Sequence, residues 1–151
     1  MRVLVTGGTG HIGSYIIADL IAAGHQVTGL ARSDKAADAL AALGAAVRRG
    51  DISDLEGLEA AAAASDGVIH VAHRQDLLPT GGIDAVAAAE RQIMLAYGGA
   101  LAGSGKPLVV SGSIGGPGWE KLGRPATEKD PSLPGGDAYK GTLRVRNEVE
   151  R

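Results

Sequence analysis

No cysteine occurs in this chain of 151 residues, which excludes disulfides, thiolate metal sites and a cysteine nucleophile at once. Phenylalanine is also absent, and one Trp and three Tyr are the whole aromatic complement, so Val, Ile, Leu and Ala must build the core. Neither sign of charge is in surplus: 15 Lys and Arg stand against 17 Asp and Glu, a formal net charge of −2. That balance removes the electrostatic case for a nucleic-acid partner or a membrane surface, and Arg48-Arg49 is too small a basic cluster to restore it. Long apolar runs are missing as well. Val3-Leu4-Val5, which follows Met1-Arg2, is far shorter than a signal-peptide core or a membrane span, so a cytoplasmic location is expected. The four histidines, His11, His25, His70 and His73, have no acidic partner at metal-ligand spacing, and no metal site is proposed.

Glycine, with 24 residues, and alanine are abundant instead. At this length the chain is read as one domain, residues 1–151, able to bury about 70% of the surface of its unfolded form. Short apolar strands alternate with helical periodicity. Strands are expected at 3–5, 27–30, 45–48, 68–72 and 108–111, and helices at about 12–21, 36–43, 55–64 and 82–102, the last with an interruption at Gly98-Gly99. Ser53-Asp54-Leu55-Glu56 reads as a capping box with Ser53 as N-cap. Residues 112–136 are rich in Gly and Pro and read as a loop, followed by a helix over 137–151. The junctions around Gly24, Gly44 and Gly105 look alike, as repeated βαβ units would. Strands that are nearly all apolar imply a parallel sheet covered on both faces.

The sharpest motif is Thr6-Gly7-Gly8-Thr9-Gly10-His11-Ile12-Gly13, placed between the first strand and the first helix. A pyrophosphate suits a helix N-terminus, where unpaired N–H groups and the helix dipole favour negative charge. In such a turn the first glycine permits the bend, the second lets the backbone approach the phosphates, and the third lets helix and strand pack closely. Gly7, Thr9, Gly10, His11, Ile12 and Gly13 are the candidate phosphate-side residues.

In dinucleotide folds an acidic residue at the end of the second strand accepts from the ribose 2′-hydroxyl of NAD. Here that position is Ala31, and Arg32 and Ser33 follow. A guanidinium with a neighbouring hydroxyl suits a 2′-phosphate, so NADP(H) is preferred over NAD(H). Arg32 is otherwise a solvated charge at a helix start. Asp51, followed by Ile52, is a candidate acceptor for the adenine amino group, or else a turn-stabilising carboxylate.

Taken together, these residues resemble the extended short-chain dehydrogenase/reductase family, including its atypical, epimerase-like branches. The resemblance runs through Thr6 to Gly13, Gly50-Asp51-Ile52, Val68-Ile69-His70-Val71-Ala72-His73, Val109-Val110-Ser111-Gly112-Ser113 and Thr127-Glu128-Lys129-Asp130-Pro131. It implies an α/β, Rossmann-type doubly wound parallel sheet in strand order 3-2-1-4-5, with helices on both faces and the cofactor at the switch between the first and fourth strands. Val71, Ala72 and His73 would then lie beside the cofactor. The resemblance also implies hydride transfer to or from a small carbonyl or hydroxyl. A Ser holds the substrate oxygen, a Tyr exchanges the proton, and a Lys favours the phenolate.

Ser113 fits the Ser role, with Ser111 as the other choice, and Tyr139 is the Tyr that follows the 128–131 loop. The Lys expected one helical turn later is Leu143. Lys140 and Arg144 would lie about 100° and about 140° around the helix from Tyr139, so neither replaces it. A second alignment puts the i, i+4 pair Arg144 and Glu148 where the family carries Tyr and Lys, and both alignments stay open. Extended members continue into further strands and a substrate-binding region. The chain is therefore expected to be a fragment or a shortened relative, catalytically weak on its own.

Two functional classes follow. One is an NADP(H)-dependent oxidoreductase acting on a small-molecule substrate, with a nucleotide-sugar epimerase or dehydratase as a variant. The other is a noncatalytic NAD(P)-binding module that senses redox state. A homodimer through the long helices is expected, with Ala89, Ile93, Ala96 and Ala100 at its interface.

Overall fold

The computed structural model describes residues 1–111, 123–125 and 127, and the chain divides into two compact units. The first unit, Met1–His73 with Ala96–Ser111, contains the whole sheet. Along the chain it runs β1 (Arg2–Thr6), α1 (His11–Ala22), β2 (Gln26–Ala31), α2 (Asp34–Ala42), β3 (Ala46–Arg49), α3 (Leu55–Ala63) and β4 (Gly67–His70), and it closes with β5 (Leu108–Val110). All pairings are parallel and the strand order is β3-β2-β1-β4-β5, the Rossmann-type arrangement that the family resemblance implied.

Consecutive residues Val3, Leu4, Val5 and Thr6 of β1 are all buried. In a pleated strand neighbouring side chains point to opposite faces, so both faces of the central strand are covered. On one face Val3, Val5, Val27 and Ala31 cluster with Ile17 of α1 and Ala37 and Leu40 of α2. Leu40 has no exposed surface, and its methyl groups occupy the space a Cβ would take at both Gly8 and Gly29. Burying a leucine this fully contributes about 2 kcal/mol. The helix ends repeat, as expected: Gly24 (φ +82°) and Gly44 (φ +85°) follow α1 and α2. The next N–H donates back into the helix, His25 to Leu20 O and Ala45 to Leu40 O, the Schellman closure that a left-handed glycine permits.

The start of α3 differs from the capping box read in the sequence. Asp54, one residue later than Ser53, is the N-cap, and its carboxylate accepts from Gly57 N–H at 3.0 Å. Ser53 turns the other way, donating through N–H and Oγ–H to Asp51 Oδ1 at 2.9 and 2.8 Å. Both residue types cap well; the nearby Asp51 captures the serine. A Cβ at Gly57 would lie 2.1 Å from Asp54 Oδ2, so that glycine makes room for the cap.

At the N-terminal ends of β1 and β4, Arg2 Nη2 donates to Asp66 Oδ1 at 2.8 Å and Arg2 N–H to Asp66 Oδ2 at 2.7 Å. These bonds, the guanidinium's first, lower the Asp66 pKa to about 2.

The second unit is Arg74–Leu95 with Gly112–Arg151. In its described part Arg74 clasps Asp76 at two points, Nε to Oδ1 at 2.9 Å and Nη2 to Oδ2 at 2.8 Å. Helix α4 (Leu78–Leu101) begins here and bends at Gly82, where φ is 63° and ψ −165°. The interruption expected at Gly98-Gly99 does not occur: those glycines sit within α4, and Gly82 takes the left-handed φ instead. No helix among the described residues is long and apolar enough to cross a membrane. The loop expected over 112–136 and the helix expected over 137–151 lie outside the described residues, apart from 123–125 and 127.

Candidate functional site

In an open parallel sheet, ligands gather outside the carboxyl ends of the strands where the strand order reverses. Here that point is the seam between β1 and β4, where Thr6 is in register with His70. Thr6 Oγ1 and His70 Nδ1 are 2.6 Å apart, and both residues are fully buried. The imidazole stands edge-on to the Tyr97 ring, with centroids 5.5 Å apart. This buried pair clamps the two strands immediately below the turn, and nothing in the sequence spacing marked it.

Above the clamp the glycine-rich turn folds tightly. Gly7 has φ +76°, and a Cβ there would lie 2.7 Å from Ala72 N and 2.8 Å from Val71 C. The segment leaving β4 therefore lies against the turn, which places the candidates Val71 and Ala72 beside it, half-buried, with His73 exposed just beyond. At Gly13 a Cβ would sit 2.1 Å from Gly7 O, so the third glycine permits close packing of α1 on the turn, as read from the motif. Gly10 N–H donates to Gly7 O at 2.9 Å, closing the bend.

The result is an open helix end. Gly10 is the N-cap of α1, and no side chain caps it and no acidic residue lies in its first turn. The contrast with its neighbours is chemical: Ser33 caps α2 and Asp54 caps α3, each with a carboxylate in the first turn, Asp34 or Glu56. The first-turn amides of α1, on His11, Ile12 and Gly13, are thus left for an external anion. Thr9, Gly10, His11 and Ile12 are exposed around them, Ile12 by 61% despite its apolar side chain.

At the end of β2, Ala31 is buried and Arg32 and Ser33 are exposed. Ser33 Oγ accepts from Ala36 N–H at 3.2 Å, which leaves its hydroxyl hydrogen to donate. Arg32 forms no ion pair among the described residues, whereas Arg49, at the end of β3, pairs with Asp34. Asp51 and Ile52 are half-buried in the turn after β3. The Asp51 carboxylate is not free of local duties, since Ser53 donates to it twice; the turn-stabilising role is realised.

Ser111, just past β5, donates its N–H to His70 O at 3.2 Å, so the chain leaving β5 departs beside the clamp. Ser113, Tyr139, Lys140, Leu143, Arg144 and Glu148 lie outside the described residues, as does the 128–131 loop. Of the four positions expected at a dimer interface, Ile93 and Ala96 are buried within the single chain. An apolar stripe at helical spacing serves a core as readily as an interface.

Comparison with known proteins bears on this arrangement. The model of the family described as NAD dependent epimerase/dehydratase matches residues 3–97. An uncharacterized protein of Saccharomyces cerevisiae is 40% identical over 113 residues, 74% of this chain and 37% of the yeast protein. The chain spans well under half the length of the curated relatives it matches. UDP-N-acetylglucosamine 4-epimerase from Bacillus cereus is 21% identical with a TM-score of 0.67, over 99% of this chain and 49% of that one, a likeness of fold. Triphenylmethane reductase of Citrobacter sp., complexed with NADP(H), is 25% identical with a TM-score of 0.57, over 73% of this chain and 37% of that one.

Proposed function

Because the chain belongs to the NAD dependent epimerase/dehydratase family, we propose that it is the cofactor-binding part of an oxidoreductase that uses NADP(H) in preference to NAD(H). The observation that carries this reading is the uncapped N-terminus of α1 behind the Gly7–Gly13 turn, at the switch between β1 and β4. The residues present fit the group: His11, Ile12 and Gly13 amides would hold the pyrophosphate, and Arg32 with the Ser33 hydroxyl would hold the 2′-phosphate. Asp51, in the turn after β3, is the carboxylate that would accept from the adenine amino group. The NADP(H) complex of the Citrobacter reductase supports the choice of cofactor.

When bound, the nicotinamide supplies or accepts the hydride. The chain's own part is to hold a small carbonyl or hydroxyl substrate by Ser113 and to exchange its proton through Tyr139. Leu143, in place of the expected lysine, favours a second reading, a noncatalytic NAD(P)-binding module, since no ammonium would then lower the tyrosine pKa.

Titration of the purified chain with NADPH and NADH, alongside Arg32→Ala, tests the proposal. A guanidinium–phosphate hydrogen bond contributes about 1.5–3 kcal/mol, so NADPH should bind more tightly and Arg32→Ala should weaken it roughly tenfold to a hundredfold. Equal affinities, or no binding of either, would refute the NADP(H) reading. Tyr139→Phe then separates the two functional classes, abolishing turnover in the enzyme and changing nothing in the module.

A further inference from the structure

Asp34 is three residues past Ala31, the position where NAD-binding folds place their ribose-reading acid, and it opens α2. Its carboxylate is 92% exposed. Left alone, it would do two things at this edge of the sheet. It would repel a 2′-phosphate near Arg32, and it would offer an acceptor to a 2′-hydroxyl. The structure gives it a different occupation.

Arg49 is in register with Ala31 on the neighbouring strand, and Gly50 N–H donates to Ala31 O at 3.1 Å, holding the two strand ends together. Side chains alternate along β3. Arg48 donates to Gly57 O at 3.1 Å, in the first turn of α3, so Arg49 is thrown to the opposite face, where its guanidinium pairs with Asp34. The Asp34–Arg49 pair thus lies at the same sheet edge as Arg32, which directly follows β2, and the three side chains together carry a surplus of positive charge.

We infer that Arg49 is a specificity-determining residue, which secures the preference for NADP(H) over NAD(H) by pairing with Asp34 and so withholding that carboxylate from the ribose. The inference rests on the NADP(H) reading above and assigns Arg49 a positioning role: it acts through Asp34. An exposed pair of this kind adds little to folding stability, so its removal leaves the fold in place and exposes the effect on selectivity. One uncompensated carboxylate at about 7 Å from a phosphate dianion in water weakens binding about sevenfold, and screening at low salt brings this to about fivefold.

The experiment measures Kd for NADPH and NADH at low salt on four forms of the chain: unmodified, Arg49→Gln, Asp34→Asn and the double variant, with Arg32→Ala in parallel and thermal melts of each. Arg49→Gln should lower the NADPH-to-NADH preference about fivefold, and adding Asp34→Asn should restore it to within about twofold of the unmodified chain. A preference lost in Arg32→Ala but kept in Arg49→Gln overturns this inference alone. A double variant as unselective as Arg49→Gln also overturns it, since Arg49 would then be meeting the phosphate itself. An unmodified chain that does not prefer NADPH overturns the cofactor reading and this inference with it.

Discussion

Replacing Gly13 by alanine should destabilise the protein even though alanine is the better helix former. The added Cβ would lie 2.1 Å from Gly7 O, 2.7 Å from Gly7 C and 2.8 Å from Gly8 Cα, against the 3.4 Å at which ordinary contact begins. All three are backbone atoms, and Gly7 O is already held by Gly10 N–H, so no rotamer change relieves the clash. Overpacking of this severity costs about 3 kcal/mol, and the helical preference for alanine returns about 1 kcal/mol. The net loss of about 2 kcal/mol lowers Tm by roughly 4–8 °C in a chain of this size. Gly98→Ala is the internal control: it lies within α4 with nothing within 4 Å of its would-be Cβ, so propensity acts alone and Tm should rise by roughly 2–4 °C. Far-UV circular dichroism melts of the three proteins in one buffer decide the matter. If Gly13→Ala melts at or above the parent temperature, the close approach of turn and helix does not explain the third glycine.

Two further outcomes are expected. The Asp66 pKa is lowered to about 2 by Arg2, so its ionised form contributes stability above the ordinary carboxylate range, and that stability is lost as pH falls. Asp66→Asn should accordingly lower Tm at neutral pH, with the gap to the parent closing between about pH 5 and about pH 2, as melts across that range would record. Asp54→Ala removes the N-cap of α3 and should cost about 1 kcal/mol, whereas Ser53→Ala should cost less. Denaturant titration of the two variants checks that order.

What could be read in the sequence was what depends on near neighbours. The alternation of strand and helix and the roles of Gly7 and Gly13 follow from residues a few positions apart, while the strand order came from the family resemblance. The helix cap moved by one because Ser53 and Asp54 are both able to cap, and the choice is made by Asp51, which takes the serine's hydrogen bonds. The break in α4 went to Gly82 and not to the Gly98-Gly99 pair, since a glycine within a helix keeps helical angles unless its surroundings demand otherwise. Arg49 looked like half of a small basic cluster. Its partner Asp34 is brought to it by the pairing of β2 with β3, which spacing along the chain does not encode. The Thr6–His70 clamp was hidden for the same reason.

Leu40 sits at once in the notches left by Gly8 on the turn and Gly29 on β2. It makes α2 a spacer between the glycine-rich turn and the end of β2 at Arg32. The two anchor points cannot drift apart or together without opening a void around a side chain that has no exposed surface, and such voids are costly. The site is in effect a caliper. For the cofactor proposed above, the 2′-phosphorylated adenosine diphosphate half alone would engage both jaws, while a free pyrophosphate would touch one and gain nothing from the other.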